Sequence, residues 1–140
     1  MMIIDGSNHI FGRLASVVAK KVLKGEDVFV VNAEKVVITG KKEAVIKKFR
    51  RRLGFVTKGN QALSPKFPKH PDKLLKRSVR GMLPYPELRG RMAIKKFKAF
   101  IGVPKEFEGK KLEQIQSALS KPEHRTVTVG EISKTLGAKW

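Results

Sequence analysis

The sequence predicts a single domain of the α/β class. Short runs rich in β-branched residues alternate with segments of helical period. Apolar residues make up 41% of the chain, which is enough for a hydrophobic core, and 140 residues is an ordinary length for one domain. We therefore expect residues 1–140 to form one domain in which strands and helices alternate.

The fold is predicted to begin with a strand, a helix and a second strand. Met2–Asp5 is a short apolar run, and apolar residues then recur at the helical period over residues 11–22. Val28–Val31 is a continuous apolar run, as expected of a strand covered on both faces, and residues 36–38 predict a shorter strand. This order and spacing predict a right-handed parallel crossover.

Several predicted helix ends coincide with residues that favour caps and turns. Ser7 or Asn8 is expected to cap the first helix, and Gly25 is expected to end it. Thr128 and Glu131 have the spacing of a capping box, in which a hydroxyl accepts a hydrogen bond from a backbone amide. That pair predicts the start of a last helix, and Gly137 is expected to end it.

The middle of the chain predicts three helices and one long loop. Apolar residues recur at the helical period over residues 41–53, after Pro71, and over residues 88–100. Residues 54–71 contain several glycines and prolines, so we expect a loop that is functional or becomes ordered on a partner. The helices are expected to bury Val45, Ile46, Phe49, Leu53, Leu74, Leu75, Val79, Met82, Met92, Ala93, Phe97 and Phe100.

The last part of the chain has two further patterns. Leu112, Ile115 and Leu119 recur at helical spacing, which favours a helix. Residues 126–129 are rich in β-branched side chains and predict a short strand or extended piece ahead of the last helix.

The positive charge is concentrated in the middle of the chain. The whole sequence has 31 Lys and Arg against 12 Asp and Glu, a net charge of +19. Residues 41–105 contain twenty basic and three acidic residues, a net charge of +17, whereas residues 1–40 and 106–140 each have a net charge of +1. A surface charged only for solubility would spread its charge evenly, so we expect a binding region for a polyanion, first of all a nucleic acid.

RNA is favoured over duplex DNA as that polyanion. The chain has no helix-turn-helix, zinc-finger or basic-zipper pattern, and a cationic segment interrupted by glycine and proline suits an irregular folded RNA. Aromatic residues are few in residues 41–91, so base stacking is expected to be the weaker mode. The cations expected to contact RNA are Lys41, Lys42, Lys47, Lys48, Arg50, Arg51, Arg52, Lys58, Lys66, Lys69, Lys76, Arg77, Arg80, Arg89, Arg91, Lys95 and Lys96.

The residue types give little support for an enzyme or for a metal-binding protein. The absence of cysteine excludes disulfides, thiolate zinc sites and a cysteine nucleophile. His9, His70 and His124 lack metal-ligand spacing, and no cofactor is expected. Residues 6–12 differ from a phosphate-binding loop in spacing and in residue types, so turn chemistry is the expected role of Asp5. A nucleotide-dependent enzyme ranks well below nucleic-acid binding.

Two further observations concern the membrane and secretion. No apolar run approaches the roughly 20 residues that a membrane helix needs. The N-terminus has no basic leader followed by an apolar stretch and a small-residue cleavage site. We therefore expect a soluble intracellular protein, with neither a membrane nor a small-molecule substrate as a partner.

Seven short motifs occur together in the order typical of one known family. They are residues 3–5 (IID), 9–16 (HIFGRLAS), 31–34 (VNAE), 38–40 (ITG), 79–84 (VRGMLP), 89–90 (RG) and 101–104 (IGVP). With them, residues 1–104 resemble the universal ribosomal protein family numbered thirteen of the large subunit, in its archaeal and eukaryotic branch. The joint order is far more specific than any one motif.

The resemblance implies both a fold and a function. It implies three layers, helix, parallel sheet of about four strands, helix, with a basic loop and helix extension that contacts large-subunit ribosomal RNA. It implies a cytoplasmic structural protein of subunit assembly, without catalysis, beside neighbouring ribosomal proteins. Carried over by motif, Arg13, Arg80, Gly81, Arg89 and Gly90 would lie at or near the RNA. Each glycine is expected either to let the backbone approach a phosphate or to allow the backbone conformation of a turn.

Residues 85–88 depart from the family pattern. The family often has basic or small polar residues there, whereas this chain has Tyr-Pro-Glu-Leu. The resemblance therefore implies no phosphate contact for this loop, and Tyr85 is expected either to stack or to pack. Two alternative functions stay open: a general nucleic-acid-binding protein, which would bind duplex DNA as tightly as structured RNA, and a regulatory RNA binder.

Overall fold

The computed structural model describes residues 1–121 and 123–140 and has an α/β fold. Ten helices and strands are defined in these residues. In chain order they are β1 Met2–Asp5, α1 Phe11–Leu23, β2 Val28–Val31, β3 Val37–Thr39, α2 Lys42–Leu53, α3 Pro71–Gly81, α4 Leu88–Lys95, β4 Phe97–Ala99, β5 Thr126–Thr128 and α5 Val129–Thr135. Four short 3-10 turns lie between them, at Ala33–Lys35, Gln61–Leu63, Lys105–Phe107 and Gln116–Ala118.

The strands form two separate sheets. β1, β2 and β4 pair in parallel in the order β1-β2-β4, and β3 pairs antiparallel with β5. The parallel pairing of β1 and β2 across α1 confirms that the predicted crossover is parallel. The parallel sheet has three paired strands where the resemblance implies about four. Glu113 adds one isolated parallel bridge to Ile4 at the free edge of β1.

β3 leaves the parallel sheet because the chain turns sharply after β2. Asn32 adopts a left-handed conformation with φ of 53°, and the 3-10 turn Ala33–Lys35 follows at once. The Asn32 side chain donates a hydrogen bond of 2.9 Å to Oδ1 of Asp5 at the end of β1. The turn therefore directs residues 37–39 to pair with residues 126–128, which lie far along the chain.

The main core lies on one face of the parallel sheet. Side chains of α1, α3 and α4 pack there against Ile4, Val28, Val30 and Phe97. The apolar cluster on the opposite face consists of Ile3, Phe29, Val31, Phe100, Phe107 and Leu112, none of which lies in an α-helix. A turn and an extended segment thus cover the side where the resemblance implies a second helical layer.

The helix expected over residues 88–100 is shorter and ends at Lys95. Residues 97–99 form β4 instead, because the amide of Val28 and the carbonyl of Val30 hydrogen-bond to Lys96 and Phe100. Phe97 is buried as expected, but Met92 is 57% exposed. Met82 is also an incorrect core assignment, since it is 44% exposed at the end of α3 and Leu83 is buried in its place.

The helix favoured around Leu112, Ile115 and Leu119 is wrong. This segment is extended apart from the 3-10 turn Gln116–Ala118. Isolated bridges join it to β1 and to His9, and they supply the backbone hydrogen bonds that a helix would otherwise make internally.

The predicted helix ends are confirmed at three points and wrong at one. Gly25 follows α1 with φ of 95°, and Thr128 Oγ1 accepts a hydrogen bond of 3.2 Å from the amide of Glu131. Gly137 ends α5 with φ of 78°. Neither Ser7 nor Asn8 caps α1, which begins after Ile10; the Ser7 amide and hydroxyl donate to Asp5 instead.

Candidate nucleic-acid interface

Helix α3 separates an apolar face from a cationic one. Leu74, Leu75 and Val79 are buried in the core. The cations Lys73, Lys76, Arg77 and Arg80 recur at offsets of three and four residues, so they project together from the side of the helix that faces away from the core. Pro71 stands at the first position of this helix, where its missing N–H leaves no helical hydrogen bond unmade.

Helix α4 is held against the chain that follows α3 by Gly90. A Cβ atom at Gly90 would lie 2.1 Å from the carbonyl oxygen of Pro84 and 2.8 Å from the nitrogen of Tyr85. Only glycine allows this approach. The close packing places Arg91 and Lys95, one helical turn apart on α4, opposite the cations of α3.

The two helices enclose an open groove of 740 Å³, which we call the α3–α4 groove. Six of its lining side chains are cationic, and among the described residues that line it none is acidic. The lining residues are Pro68, Lys73, Lys76, Arg77, Arg80, Tyr85, Leu88, Arg91, Met92, Ile94 and Lys95. Mutual repulsion of these cations is relieved when an anion binds, so the groove favours a polyanion.

An apolar surface is exposed to solvent inside this ring of cations. Leu88 is 67% exposed, Met92 57% and Tyr85 40%. The guanidinium of Arg80 lies 4.8 Å from the centre of the Tyr85 ring, a cation–π contact that holds both groups at the groove. The groove therefore offers both positive charge for phosphates and an apolar surface for a planar or apolar group.

Arg77 anchors the long loop to helix α3. Its guanidinium lies 4.2 Å from the centre of the Phe67 ring, and its Nη1 donates a hydrogen bond of 2.9 Å to the carbonyl of Lys66. Arg77 is partly buried by these contacts. It lines the α3–α4 groove and also fixes the part of the loop that carries Lys66 and Lys69.

A second, smaller cavity extends the surface from α3 to α2. It has a volume of 220 Å³. Most of its lining side chains are apolar, and Arg52 and Arg77 also line it. Pro68 and Arg77 line both cavities, so the two are adjacent. Gly81 also lines it, and a Cβ atom there would meet no other heavy atom within 4 Å. Gly81 thus has open space beside its backbone, in contrast with Gly90.

Helix α2 buries one of its four expected core residues, Val45; Phe49 and Leu53 are partly buried, and Ile46 lines a hollow of the surface. Val45 is buried and Lys47, Lys48, Arg50, Arg51 and Arg52 are exposed. Lys47, Arg50 and Arg51 line one shallow hollow of the surface, whereas Arg52 points to the cavity beside α3.

Two predicted RNA-contacting lysines have protein partners in this structure. Lys42 forms an ion pair of 3.1 Å with Glu131, and both side chains are more than half exposed. Lys96 Nζ donates a hydrogen bond of 2.7 Å to the carbonyl of Gly25, at the C-terminal end of α1. Gly25 lies in the turn that follows α1, so this hydrogen bond joins the end of α4 to that turn.

The remaining predicted cations are exposed and lie outside the α3–α4 groove. Lys41 lies with Lys42 and Arg125 beside the strands β3 and β5. The others are Arg13 in the first turn of α1, Lys58, Lys66 and Lys69 in the loop, and Arg89 on α4.

Sequence reasoning missed Lys73 and Arg125 as members of the cationic surface. Lys73 could have been found, because it continues the row of Lys76, Arg77 and Arg80 by one helical turn. Arg125 had no such signal. It joins Lys41 and Lys42 only because β5 pairs with β3.

Asp5 has the turn role expected of it. Burial raises the pKa of Asp5, but hydrogen bonds from the side chain of Asn32 and from the amide and hydroxyl of Ser7 outweigh burial, so the pKa lies below its ordinary value. Within the described residues, no group of three or more His, Asp or Glu could hold a metal ion. No helix of the described residues is long and apolar enough to span a bilayer.

Comparison with known proteins agrees with the resemblance seen in the sequence. The Ribosomal protein L13 family matches residues 1–106. Large ribosomal subunit protein uL13 of Picrophilus torridus is 49% identical over 139 residues, which cover 98% of this chain and 97% of that protein. The proteins of the same name from Methanosphaera stadtmanae and Methanocaldococcus jannaschii are 41% and 43% identical and are covered over 98% and 100% of their lengths. The chain therefore belongs to the ribosomal protein L13 family.

Proposed function

We propose that this protein is a structural constituent of the large ribosomal subunit that binds large-subunit ribosomal RNA and helps it fold during assembly. The relatives are named large ribosomal subunit proteins, and this chain matches them over nearly their whole length. Membership of a ribosomal protein family also confirms the expectation that the chain is not an enzyme. The proposal puts the protein in the cytoplasm with the ribosome, next to other ribosomal proteins.

The α3–α4 groove is the observation that supports RNA binding most strongly. Six cations converge there from two helices, and no described lining residue neutralises them. Among the described residues only two ion pairs occur, and only Lys42 of the predicted RNA-contacting cations takes part in one. Cations that lack an acidic partner on a folded surface favour binding of a phosphate backbone, because the nucleic acid releases its counterions on binding.

The exposed arginines of α2 provide a test of phosphate contact. We expect the variant Arg50→Ala, Arg51→Ala, Arg52→Ala to fold normally, since all three side chains are exposed. Its log–log salt slope for binding ribosomal RNA should fall by up to about 2–3, because each phosphate contact contributes roughly 0.7–0.9. Its retention on large subunits through a high-salt wash should fall in parallel.

The matched control removes the same charge elsewhere. Lys20, Lys24 and Lys111 are exposed cations outside the predicted RNA-contacting segment, and their triple replacement by alanine should leave the salt slope nearly unchanged. If the arginine variant stayed on subunits as well as the parent protein, the assignment of α2 to the RNA interface would be wrong.

The general nucleic-acid-binding alternative makes a different prediction. A protein of that kind would bind duplex DNA as tightly as structured RNA at the same ionic strength, because phosphate contacts alone do not distinguish the two. We expect a preference for a large-subunit ribosomal RNA fragment, measured by competition at moderate salt. Equal competition by duplex DNA would favour the alternative.

A further inference from the structure

We infer that the α3–α4 groove holds an unpaired nucleotide of the RNA, with its base against Tyr85, Leu88 and Met92 and its flanking phosphates on the surrounding cations. This inference rests on the proposed RNA-binding function and goes beyond it. It assigns a role to the residues at positions 85 and 88, where the chain departs from the family pattern.

The first reason is the combination of charge and apolar surface. A purely electrostatic site needs no exposed Leu88 or Met92, and these side chains would gain nothing from contact with phosphates alone. A nucleotide has a planar base with an apolar face and a charged phosphate, and the groove offers a matching surface for each. The groove volume of 740 Å³ also falls within the range of about 300–1,000 Å³ that is usual for sites of small organic ligands.

The second reason is that a fully paired RNA helix fits the groove poorly. An A-form duplex presents phosphates and ribose hydroxyls on its surface, while the faces of its bases are stacked inside. Such a helix would leave Tyr85 and Met92 against polar groups. A nucleotide that is splayed out of a bulge or loop instead buries its base on these side chains, and the backbone on either side remains within reach of Lys76 and Lys95.

The third reason is the position of the Arg80–Tyr85 pair. The guanidinium stacks 4.8 Å from the ring centre, so a cation and an aromatic ring stand together on the wall of the groove. Both groups stack on nucleobases, and both remain exposed in the free protein. The pair is therefore available to a base without rearrangement of the core.

The experiment compares two RNA hairpins that differ only in one unpaired adenosine placed as a bulge. We expect the full-length protein to bind the bulged hairpin about ten-fold more tightly than the fully paired hairpin at moderate salt. Tyr85→Ala and Met92→Gln should each reduce that preference, and the salt slope should stay unchanged because neither removes a charge. Tyr85→Phe should retain the preference, since it retains the ring.

Two controls separate stacking from loss of folding or charge. Met82→Ala removes a side chain that is 44% exposed at the end of α3 and lies outside the groove, so it should leave the preference intact. Lys95→Ala should weaken binding of both hairpins and lower the salt slope by about 0.7–0.9. Circular dichroism and thermal unfolding of every variant show whether the fold is retained.

A direct reporter is available because Tyr85 is the only tyrosine of the chain. Protein labelled with 3-fluorotyrosine has one fluorine resonance, and that resonance should shift with the bulged hairpin and change little with the paired one. Equal affinity for both hairpins, or a resonance that the bulge does not move, would overturn the inference while leaving RNA binding intact; the apolar surface would then face a neighbouring protein. Failure to bind either hairpin or ribosomal RNA would overturn the proposed function as well.

Discussion

Two of the family motifs contain a glycine, and the structural environments of these two glycines differ. Gly90 is buried, and its backbone touches that of Pro84 and Tyr85 so closely that no side chain fits. Gly81 is exposed at the end of α3 with open space beside it. The packing of α4 against the preceding turn thus accounts for Gly90, whereas access of the RNA backbone to Gly81 stays a prediction.

Replacing each glycine by alanine should separate these two roles. We expect Gly90→Ala to lower the free energy of unfolding by roughly 1–3 kcal/mol or more, because a Cβ atom 2.1 Å from the Pro84 carbonyl forces the helix outward. Gly81→Ala should not lower the free energy of unfolding and should weaken RNA binding if a phosphate approaches that backbone. Urea unfolding and RNA titration of both variants test this pair. Normal stability of Gly90→Ala would contradict the packing role.

Asp5 links stability to pH at the residue scale. Its pKa is lowered in the folded protein, so its contribution to stability is present above the unfolded-state pKa of about 4 and is lost as the pH falls through the lower folded-state value. We expect Asp5→Asn to cost about 1 kcal/mol at pH 7, since hydrogen bonds to a charged acceptor are the stronger ones. Its free energy of unfolding should also fall less steeply below pH 4 than that of the parent protein. Parallel pH profiles for the two proteins would contradict this assignment.

At the end of helix α4, two neighbouring lysines make different contacts. Lys95 is the last residue of the helix and lines the α3–α4 groove. Lys96 follows it in the turn before β4 and reaches across to the carbonyl of Gly25. Consecutive lysines of the same charge thus point to different partners, because the chain changes from helix to strand between them.

A pair of alanine variants tests this division at the scale of the element. Lys95→Ala should lower the salt slope of RNA binding by about 0.7–0.9 and leave the free energy of unfolding nearly unchanged. Lys96→Ala should do the reverse: it should lower the free energy of unfolding by up to about 1 kcal/mol through loss of one hydrogen bond and leave the salt slope nearly unchanged. RNA titration over a range of salt and urea unfolding measure the two effects. Equal salt slopes for the two variants would contradict the division.

At the scale of the whole molecule, a buried histidine joins the start of the fold to a segment 106 positions further along the chain. His9 is fully buried; its Nδ1 lies 2.9 Å from the carbonyl of Ser7, and its Nε2 lies 3.0 Å from the amide of Ile115. The amide can only donate, so Nε2 accepts and Nδ1 carries the proton that is donated to Ser7. The ring thereby fastens the extended segment around Ile115 to the start of the fold.

Removal of this ring should loosen the extended segment. We expect His9→Ala to lower the free energy of unfolding by roughly 3–5 kcal/mol, because it leaves a cavity and an unpaired buried amide. The amide of Ile115 should exchange with solvent much faster, as measured by hydrogen exchange. His124→Ala removes an exposed imidazole and serves as the control, with an effect within about 0.5 kcal/mol. Unchanged exchange at Ile115 would show that the segment is held by other contacts.

Short-range sequence patterns predicted those elements whose structure depends on residues that are close together in the chain. Strands β1 and β2, helices α1, α2 and α3, and the Thr128 cap all follow from residues within a few positions of one another. Periodicity failed at residues 97–99 and around Ile115, because apolar residues three apart, such as Phe97 and Phe100, can also lie on opposite faces of an extended chain and be buried on both sides of a sheet. Pairing with β2 and with His9 decided these segments, and both partners lie far away in the chain.

The sequence by itself determined the class of fold, the family, and the concentration of positive charge in residues 41–105. These depend on composition, motifs and short-range periodicity. Only the tertiary structure decided which cations share a surface, that Lys42 and Lys96 have protein partners, and that Tyr85, Leu88 and Met92 form an exposed apolar patch among arginines and lysines. The physical reason is that charge and exposure at a point in space depend on which elements pack side by side, and packing is set by contacts between residues far apart in the chain.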